Sequence, residues 1–325
     1  MRLNIYRFAE KDRGSSDAHV GLKTRTPKLK RGATPHPLPP PLKRRGFLAL
    51  SMLLLSACGP QLGSLEKGEE GQVVRAYGGD TLELDSGLRV FLAEIDAPRG
   101  EDAYAAQAQG ELEALVLHRQ VRLAYGGNHR WVRRAREGEA PPEPQQETAI
   151  AHVFVRSEGG RWFWLQHALV SKGAAFVRPR RDNHARTADL LAIEGQARAA
   201  ERGLWAKREY RPLNASAAAA LALTFAESCL RGPAPYRIIE GRIGGADLFD
   251  TRASFSVQSE APFSIVLFGE NFAAWDGPPL ASLGGARIRA RGALGVYREQ
   301  PQLCLEHASQ LEVLTPPGEA RTPRE

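Results

Sequence analysis

Residues 72–98 read QVVRAYGGDTLELDSGLRVFLAEIDAP, and this stretch decides the predicted fold. Two β-prone runs, 72–77 and 81–84, flank Gly78-Gly79-Asp80, which is a turn signal. A third β-prone run covers 88–95. The stretch therefore predicts three short strands in succession.

The residues that follow predict more strands and helices within one unit, 69–205. Ala103–Leu117 carries apolar residues at helical spacing. Further strands are predicted at 121–124, 149–155 and 162–165, and further helices at 166–172 and 185–201. The stretch 126–147 interrupts this order with Gly, Pro and the arginines 130, 133, 134 and 136. It predicts a long loop, either functional or a tolerated insertion.

A second β-rich unit is predicted at 235–315. Residues 206–234 contain Pro212 and an alanine run, which predict a linker ending in a short helix. Five or six short β-prone runs separated by turn signals then follow, a pattern typical of a small barrel. Residues 316–325 are predicted to be a disordered tail. The predicted fold class is mainly β with helices (α+β), built from two barrels.

Charge is distributed unevenly along the 325 residues. Residues 1–45 hold 12 of the 44 Lys and Arg but 3 of the 37 Asp and Glu, so the rest of the chain is close to neutral. The composition, 42% apolar and 25% charged, excludes wholesale disorder and a fibrous repeat. A globally basic nucleic-acid binder is excluded as well.

Residues 1–57 are interpreted as a disordered leader with a signal peptide. Lys43-Arg44-Arg45 precedes an apolar run, 47–57, that is too short for a bilayer span of about 20 residues but suits a signal core. Leu55-Ser56-Ala57-Cys58 resembles a bacterial lipobox, which implies a lipid on Cys58 and a tether over 58–68. We expect an exported protein, membrane-anchored in the bacterial envelope and facing the periplasm or the exterior. A buried helix hairpin is the alternative.

The cysteine count is compatible with export. If Cys58 carries lipid, Cys229 and Cys304 remain as an even pair in an oxidising compartment. Two separate buried thiols are the alternative to a disulfide between them.

The first unit resembles the thermonuclease (staphylococcal nuclease-like) family. Five pieces stand in the family's order: 78–82, 91–98, 149–155, 165–175 and 201–205. The resemblance implies an OB-type barrel with flanking helices. It also implies Ca²⁺-dependent phosphodiester hydrolysis, with carboxylates on the metal, a base that activates water and two arginines on the phosphate. These ligand types suit Ca²⁺ and phosphate chemistry.

The resemblance carries over unevenly to the residues of this chain. Asp80 and Asp96 match the calcium carboxylates, and the backbone carbonyl of Ala97 is a third candidate ligand. The two catalytic arginines and the general-base glutamate are replaced. Their family positions hold Phe91, Thr148 and Arg99.

Two nearby residues are candidate substitutes for the missing groups. Arg89 lies two residues before Phe91 and so shares its strand face. Glu101 lies two residues beyond Arg99. Otherwise Arg89 is a charged strand end and Glu101 a solvated carboxylate.

The second unit resembles OB-type nucleic-acid-binding modules. Arg287, Arg289 and Arg291 alternate along one predicted strand and therefore share a face that could follow a phosphate backbone. A solvated outer face is the alternative. The aromatic residues of this unit are either stacking platforms or core: Phe255, Phe263, Phe268 and Trp275.

Three hypotheses about function follow from the sequence. In the first, a tethered nuclease-like protein has lost catalysis and binds single-stranded nucleic acid or a protein, with Ca²⁺ weakly held if at all. In the second, a Ca²⁺-dependent nuclease survives with relocated groups. In the third, the protein is a structural envelope component that binds another protein.

Overall fold

The computed structural model describes residues 65–128, 130–132, 147–225, 228–229 and 234–318. Both predicted units lie within one compact body of the chain. Cys58 and the predicted leader lie outside the described residues, as do the loop arginines 133, 134 and 136. Among the described residues, no helix is long and apolar enough to span a membrane.

The first unit contains nine strands and three α-helices among its described residues. They are β1 (Glu66–Ala76), β2 (Thr81–Leu84), β3 (Arg89–Leu92), β4 (Ile95–Asp96), α1 (Ala105–Val116), β5 (Gln120–Tyr125), β6 (Arg130–Val132), β7 (Glu147–Arg156), β8 (Trp162–Trp164), α2 (Leu165–Lys172), β9 (Phe176–Val177) and α3 (Thr187–Ala199). Short 3₁₀ turns follow at Gly203–Ala206 and Arg208–Tyr210.

The second unit has seven strands and two α-helices among its described residues. They are β10 (Leu213–Asn214), α4 (Ala215–Phe225), β11 (Tyr236–Phe249), β12 (Arg252–Val257), β13 (Ser264–Phe268), α5 (Gly269–Ala273), β14 (Arg287–Tyr297), β15 (Gln300–Leu305) and β16 (Leu311–Thr315). The predicted linker therefore contains α4, whose alanine face is buried in the core of the second unit.

Each unit contains a closed barrel that is formed by five of its strands. In the first, β1 pairs with β2 and β5, β2 with β3, and β7 closes the ring by pairing antiparallel with β5 and parallel with β3. In the second, β11, β12, β13, β15 and β14 close in the same order, with β13 and β15 parallel. Both are OB-type Greek-key barrels. The predicted α+β class is confirmed.

Period-two alternation explains the first core. Leu82 and Leu84 of β2 and Val90 and Leu92 of β3 are buried, because alternate residues of a strand face the barrel interior. The predicted strand 88–95 is broken in two at Glu94, whose φ of 65° no regular strand contains.

Gly79 lets the turn before β2 approach the rest of the first barrel. A Cβ atom built on this residue would lie 2.6 Å from the Cβ of Ala97 and 2.7 Å from that of Ala108. Glycine is needed here because any side chain would push the turn away from α1.

A fully buried ion pair joins the two barrels. Arg291 of β14 and Glu194 of α3 are both 0% exposed, and the guanidinium binds the carboxylate in bidentate fashion with two 3.0 Å contacts. Arg291 also donates to the carbonyl oxygen of Val177 at 3.1 Å and to Glu312 at 2.9 Å. Arg198 donates to Glu194 at 2.7 Å. The barrels are thereby fixed relative to each other.

Rings stack across the same interface. Phe176 stacks on Tyr236 with ring centroids 5.8 Å apart, and His184 stacks on His307 at 3.8 Å. Burial and the neighbouring His184 together lower the pKa of His307, although Asp276 acts in the opposite direction.

We expect Glu194→Gln to lower the free energy of unfolding by about 3–5 kcal/mol, because it leaves Arg291 buried and only partly paired. The double variant Arg291→Met with Glu194→Leu should lose less, since the fully buried Arg291 is removed together with its partner. Arg198 loses its contact with Glu194 but is partly exposed, and Glu312 keeps its contact with Arg289. Urea denaturation measures both. Arg287→Ala is the control, because its pair with Glu240 at 3.4 Å is half exposed and contributes at most about 1 kcal/mol. A Glu194→Gln loss no larger than that of Arg287→Ala would contradict the role of the ion pair.

The lowered pKa of His307 in its stack with His184 predicts that the folded protein is less stable in acid. A base with a lowered pKa binds fewer protons when folded, so its stabilising effect is complete above about pH 6.5 and is lost as pH falls below that value. The free energy of unfolding should therefore drop between pH 7 and pH 5. His184→Phe should drop less, because it removes the charge that opposes protonation of His307. An equal drop in both proteins would contradict this expectation.

Candidate functional site

Two buried carboxylates form the centre of the site. Asp80 lies at the end of the turn before β2 and is 1% exposed, and Asp96 ends β4 and is 7% exposed. We call these two residues the acidic pair. The tight turn at Gly79 and the pairing of β4 with β9 bring them together, although 16 positions separate them in sequence.

Arg99 bridges the acidic pair. Its Nη2 atom lies 2.7 Å from Oδ2 of Asp80 and 2.9 Å from Oδ1 of Asp96. Asp80 also accepts a hydrogen bond from the backbone N–H of Ala97 at 2.7 Å and one from the hydroxyl of Thr81 at 3.0 Å. A second arginine, Arg178, donates from its guanidinium to Oδ2 of Asp96. Each carboxylate oxygen of the pair thus has a donor.

The two carboxyls differ in acidity. Burial raises the pKa of Asp80 to about 6, despite the opposing charge of Arg99. Burial also acts on Asp96, but Arg178 and Arg99 together outweigh it and lower the pKa of that carboxyl. At neutral pH the pair therefore holds most of its negative charge, and two guanidinium groups neutralise it.

The arrangement does not fit Ca²⁺. This ion takes 6–8 oxygen ligands, whereas the acidic pair offers two carboxylates whose oxygens already accept from Arg99, Arg178, Thr81 and the backbone of Ala97. Among the described residues, no group of three or more His, Cys, Asp or Glu could hold a metal. A guanidinium lies where a cation would have to bind.

The residues at the family's catalytic positions lie at different places. Arg99 contacts the acidic pair. Phe91 lines the same cavity as Asp80, and its ring centroid is 5.8 Å from the guanidinium carbon of Arg99. Thr148 is buried on β7, in register with Arg89 on β3. Neither side chain can supply the positive charge of an arginine.

The two candidate substitutes lie elsewhere. Arg89 stacks on the ring of Tyr77, with its guanidinium carbon 4.4 Å from the ring centroid. Glu101 is exposed in the segment before α1. Neither lines the cavity that contains Asp80. The structure does not bring either residue to the acidic pair.

A cleft of about 630 Å³ lies between the two barrels and reaches Asp80. We call it the inter-barrel cleft. Arg180 and Arg181 of the first unit and Glu270 of α5 line it, and Arg181 and Glu270 form a 2.8 Å ion pair. Five acidic side chains against three arginines give the lining an excess of negative charge: Asp80, Glu94, Asp182, Glu270 and Glu306 against Arg99, Arg180 and Arg181.

Sequence reasoning missed the arginines 178, 180 and 181. They occupy one short segment, Arg178-Pro179-Arg180-Arg181, directly after β9. The run of arginines was visible, but its place at the site depends on the long-range pairing of β9 with β4.

Glu94 is a strained, buried residue of the cleft lining. It adopts a φ of 65°, a conformation that non-glycine residues rarely adopt. Its carboxylate contacts His152 at 3.1 Å and accepts from the hydroxyl of Thr187 and the backbone N–H of Arg186. These contacts tie the start of α3 to the segment that carries Asp96, and such local strain is common near functional sites.

The arginine stripe of the second barrel does not form an open phosphate-binding face. Arg291 is fully buried in its ion pair with Glu194 and cannot reach a ligand. Arg289 pairs with Glu240 at 2.7 Å and with Glu312 at 3.3 Å. The exposed member, Arg287, lies 3.4 Å from Glu240. The prediction of a shared nucleic-acid face was wrong because α3 buries Arg291, and Glu240 of β11 and Glu312 of β16 pair with Arg289.

The structure also places the predicted aromatic residues and the two cysteines of the second unit. Phe255 and Phe263 are buried in the core rather than exposed as stacking platforms, and Phe268 and Trp275 are partly buried. Cys229 and Cys304 form a disulfide with Cα atoms 5.8 Å apart. Both cysteines line the inter-barrel cleft.

Comparisons with known proteins agree with this architecture. Residues 89–207 match the family model of the staphylococcal nuclease homologues. Over 180 residues the chain is 27% identical to Protein ParB of Escherichia coli, covering 50% of this chain and 88% of that protein. Over 97 residues it is 35% identical to an uncharacterized endonuclease of Haemophilus influenzae, covering 27% of this chain and 51% of that protein. The chain therefore spans about half the length of the second relative, and it carries a staphylococcal-nuclease-type domain.

We expect Arg99→Glu to create a Ca²⁺ site, because it removes the bridging guanidinium and adds a third carboxylate. Ca²⁺ at about 100 times its dissociation constant should then stabilise the variant by about 2.7 kcal/mol. Thermal unfolding with Ca²⁺ and with EDTA measures the effect. The wild type and Arg89→Glu, which has the same charge change away from the acidic pair, should not respond. A wild type that Ca²⁺ stabilises as strongly as the variant would contradict the interpretation of Arg99.

Proposed function

We propose that this protein binds nucleic acid through a nuclease scaffold that has lost efficient hydrolysis. The observation that carries the proposal is the Arg99 guanidinium between Asp80 and Asp96. It neutralises the two carboxylates that the family resemblance assigns to calcium. No resident Ca²⁺ is part of the proposal.

The size of the expected losses supports this proposal. Removing one preorganised group that stabilises transition-state charge typically costs about 10²–10³ in rate. Loss of a general base costs about 10²–10⁴. These losses are not additive, yet with Phe91, Arg99 and Thr148 at the three family positions they leave little hydrolysis.

Two observations support binding to nucleic acid. The domain that matches residues 89–207 is of a nuclease family, and barrels of the OB type bind oligonucleotides across many unrelated proteins. The acidic lining of the inter-barrel cleft disfavours deep entry of a polyanion. Binding at an outer surface is therefore favoured over binding beside Asp80.

A surviving hydrolase is the second candidate, and one observation favours it. Arg178 and Arg99 place two guanidinium groups beside the acidic pair, and such groups suit a phosphate. A hydrolase would require these arginines to release Asp96 when substrate binds. A purely protein-binding envelope component is the third candidate.

Localisation at the cell envelope is also part of the proposal. The lipobox-like sequence before Cys58 and the pairing of Cys229 with Cys304 support export to an oxidising compartment. Membrane fractionation of cells producing the wild type or Cys58→Ser tests it. Release of the variant, but not of the wild type, from membranes is expected. Equal partition of both would reject the anchor.

We expect the purified full chain to leave single-stranded DNA and RNA intact with Ca²⁺ and with EDTA, because Arg99 already binds both carboxylates of the acidic pair. The variant Phe91→Arg with Arg99→Glu and Thr148→Arg should cleave in Ca²⁺, since it restores the three groups that the resemblance implies. Gel electrophoresis of labelled strands measures both.

Cleavage by the wild type that EDTA and Asp80→Ala both abolish would favour the surviving hydrolase. Wild-type binding to the same strands should weaken steeply with salt, as phosphate contacts require. No binding at low salt would favour the protein-binding alternative.

A further inference from the structure

A second surface combines aromatic and basic side chains on the first barrel. In register, Arg122 of β5 lies opposite Phe154 of β7, and Arg156 of β7 lies opposite Trp162 of β8. Residues opposite each other, or two apart on one strand, share a face of the sheet. These four side chains therefore belong to one outer face. With Arg161, in the turn before β8, they form what we call the arginine–tryptophan surface.

Cation–π contacts organise this surface. The guanidinium carbon of Arg122 lies 4.5 Å from the ring centroid of Trp162 and 5.7 Å from that of Phe154. Trp162 is only partly buried, whereas Phe154 is 4% exposed. The indole is thus held in place by an arginine and remains accessible to a further planar group.

A groove continues from Trp162 along α2 and α3. Its volume is about 520 Å³, within the range of about 300–1,000 Å³ of pockets that bury small ligands. Trp162, Phe163 and Trp164 form one wall, and His167 and Arg186 line it as well. The groove could hold an unstacked base.

The charge of the surface favours an anion. Arg156 and Arg161 are exposed, and among the described residues neither forms an ion pair. Two acidic residues lie nearby. Glu158, whose side chain is 91% exposed, pairs weakly with Arg119 at 3.5 Å, and Asp189 pairs with Arg186 at 2.8 Å. Arginines outnumber these two acids: Arg119, Arg122, Arg156, Arg161 and Arg186. The inter-barrel cleft has the opposite balance.

The surface is separate from the acidic pair. Ile150 of β7 lines the inter-barrel cleft, and Arg156 lies six residues further along the same strand. At about 3.3 Å per residue, six residues of a strand span up to about 20 Å.

We propose that the arginine–tryptophan surface binds single-stranded nucleic acid. A base stacks on Trp162, and Arg156 and Arg161 hold the flanking phosphates. Base–aromatic stacking next to a basic groove is the recurring way in which proteins hold single strands without reading sequence. A duplex hides its base faces and lacks this contact. This inference rests on the proposed function and assigns its binding surface.

Fluorescence anisotropy of a labelled 20-nucleotide thymidine strand tests the assignment, with the full chain in EDTA. Trp162→Ala should weaken binding by about 5- to 150-fold, the range found when one stacking aromatic is removed. Arg156→Ala with Arg161→Ala should lower the slope of log affinity against log salt by about 1.4, since each lost phosphate contact on a single strand contributes about 0.7. Trp162→Phe, which keeps an aromatic face, should bind better than Trp162→Ala.

Lys207→Ala with Arg208→Ala is the matched control, because it removes two exposed charges elsewhere. It should bind the strand like the wild type. Equal affinities for all variants would overturn the assignment while leaving nucleic-acid binding intact. A wild type that binds no strand would reject the proposed function itself. Competition by polyglutamate as strong as by the strand would overturn the choice of ligand in favour of an acidic protein.

Discussion

Two carboxylates buried a few ångströms apart need a cation, and the identity of that cation sets the chemistry of this protein. Asp80 and Asp96 are held together by the fold, and both are almost inaccessible to water. A divalent metal would neutralise them and leave room for a water nucleophile. The guanidinium of Arg99 neutralises them with its own hydrogen bonds and offers no such water. The staphylococcal-nuclease-type domain thus holds an ion cluster of two carboxylates and two guanidinium groups.

A second buried cluster determines what surrounds that site. Arg291 and Glu194 are both fully buried, so leaving either one unpaired would be costly. Their bidentate contact holds the second barrel against α3, and residues of both barrels line the inter-barrel cleft beside Asp80. Because the cleft is acidic and covered from both sides, the open arginine–tryptophan surface is the better place for a polyanion.

The sequence predicted the local elements well and the long-range contacts poorly. Strand alternation and the turn at Gly78-Gly79-Asp80 predicted the start of the first barrel, and the family resemblance identified Asp80 and Asp96. The role of Arg99 could not be read from its position, because an arginine after Pro98 could equally have pointed to solvent. Arg178 was missed, since only the pairing of β4 with β9 brings it to Asp96. Arg291 was predicted to be exposed. Strand periodicity shows which residues share a face, but it does not show that α3 of the first unit covers that face at Arg291.

The most direct test of the central claim is a crystal structure of the full chain grown or soaked in millimolar Ca²⁺. We predict the Arg99 guanidinium between the two carboxylates, with no ion bound to them. Arg99 is about half exposed, so its side chain has room to turn into solvent. A calcium ion coordinated by Asp80 and Asp96, with Arg99 turned away, would contradict this prediction.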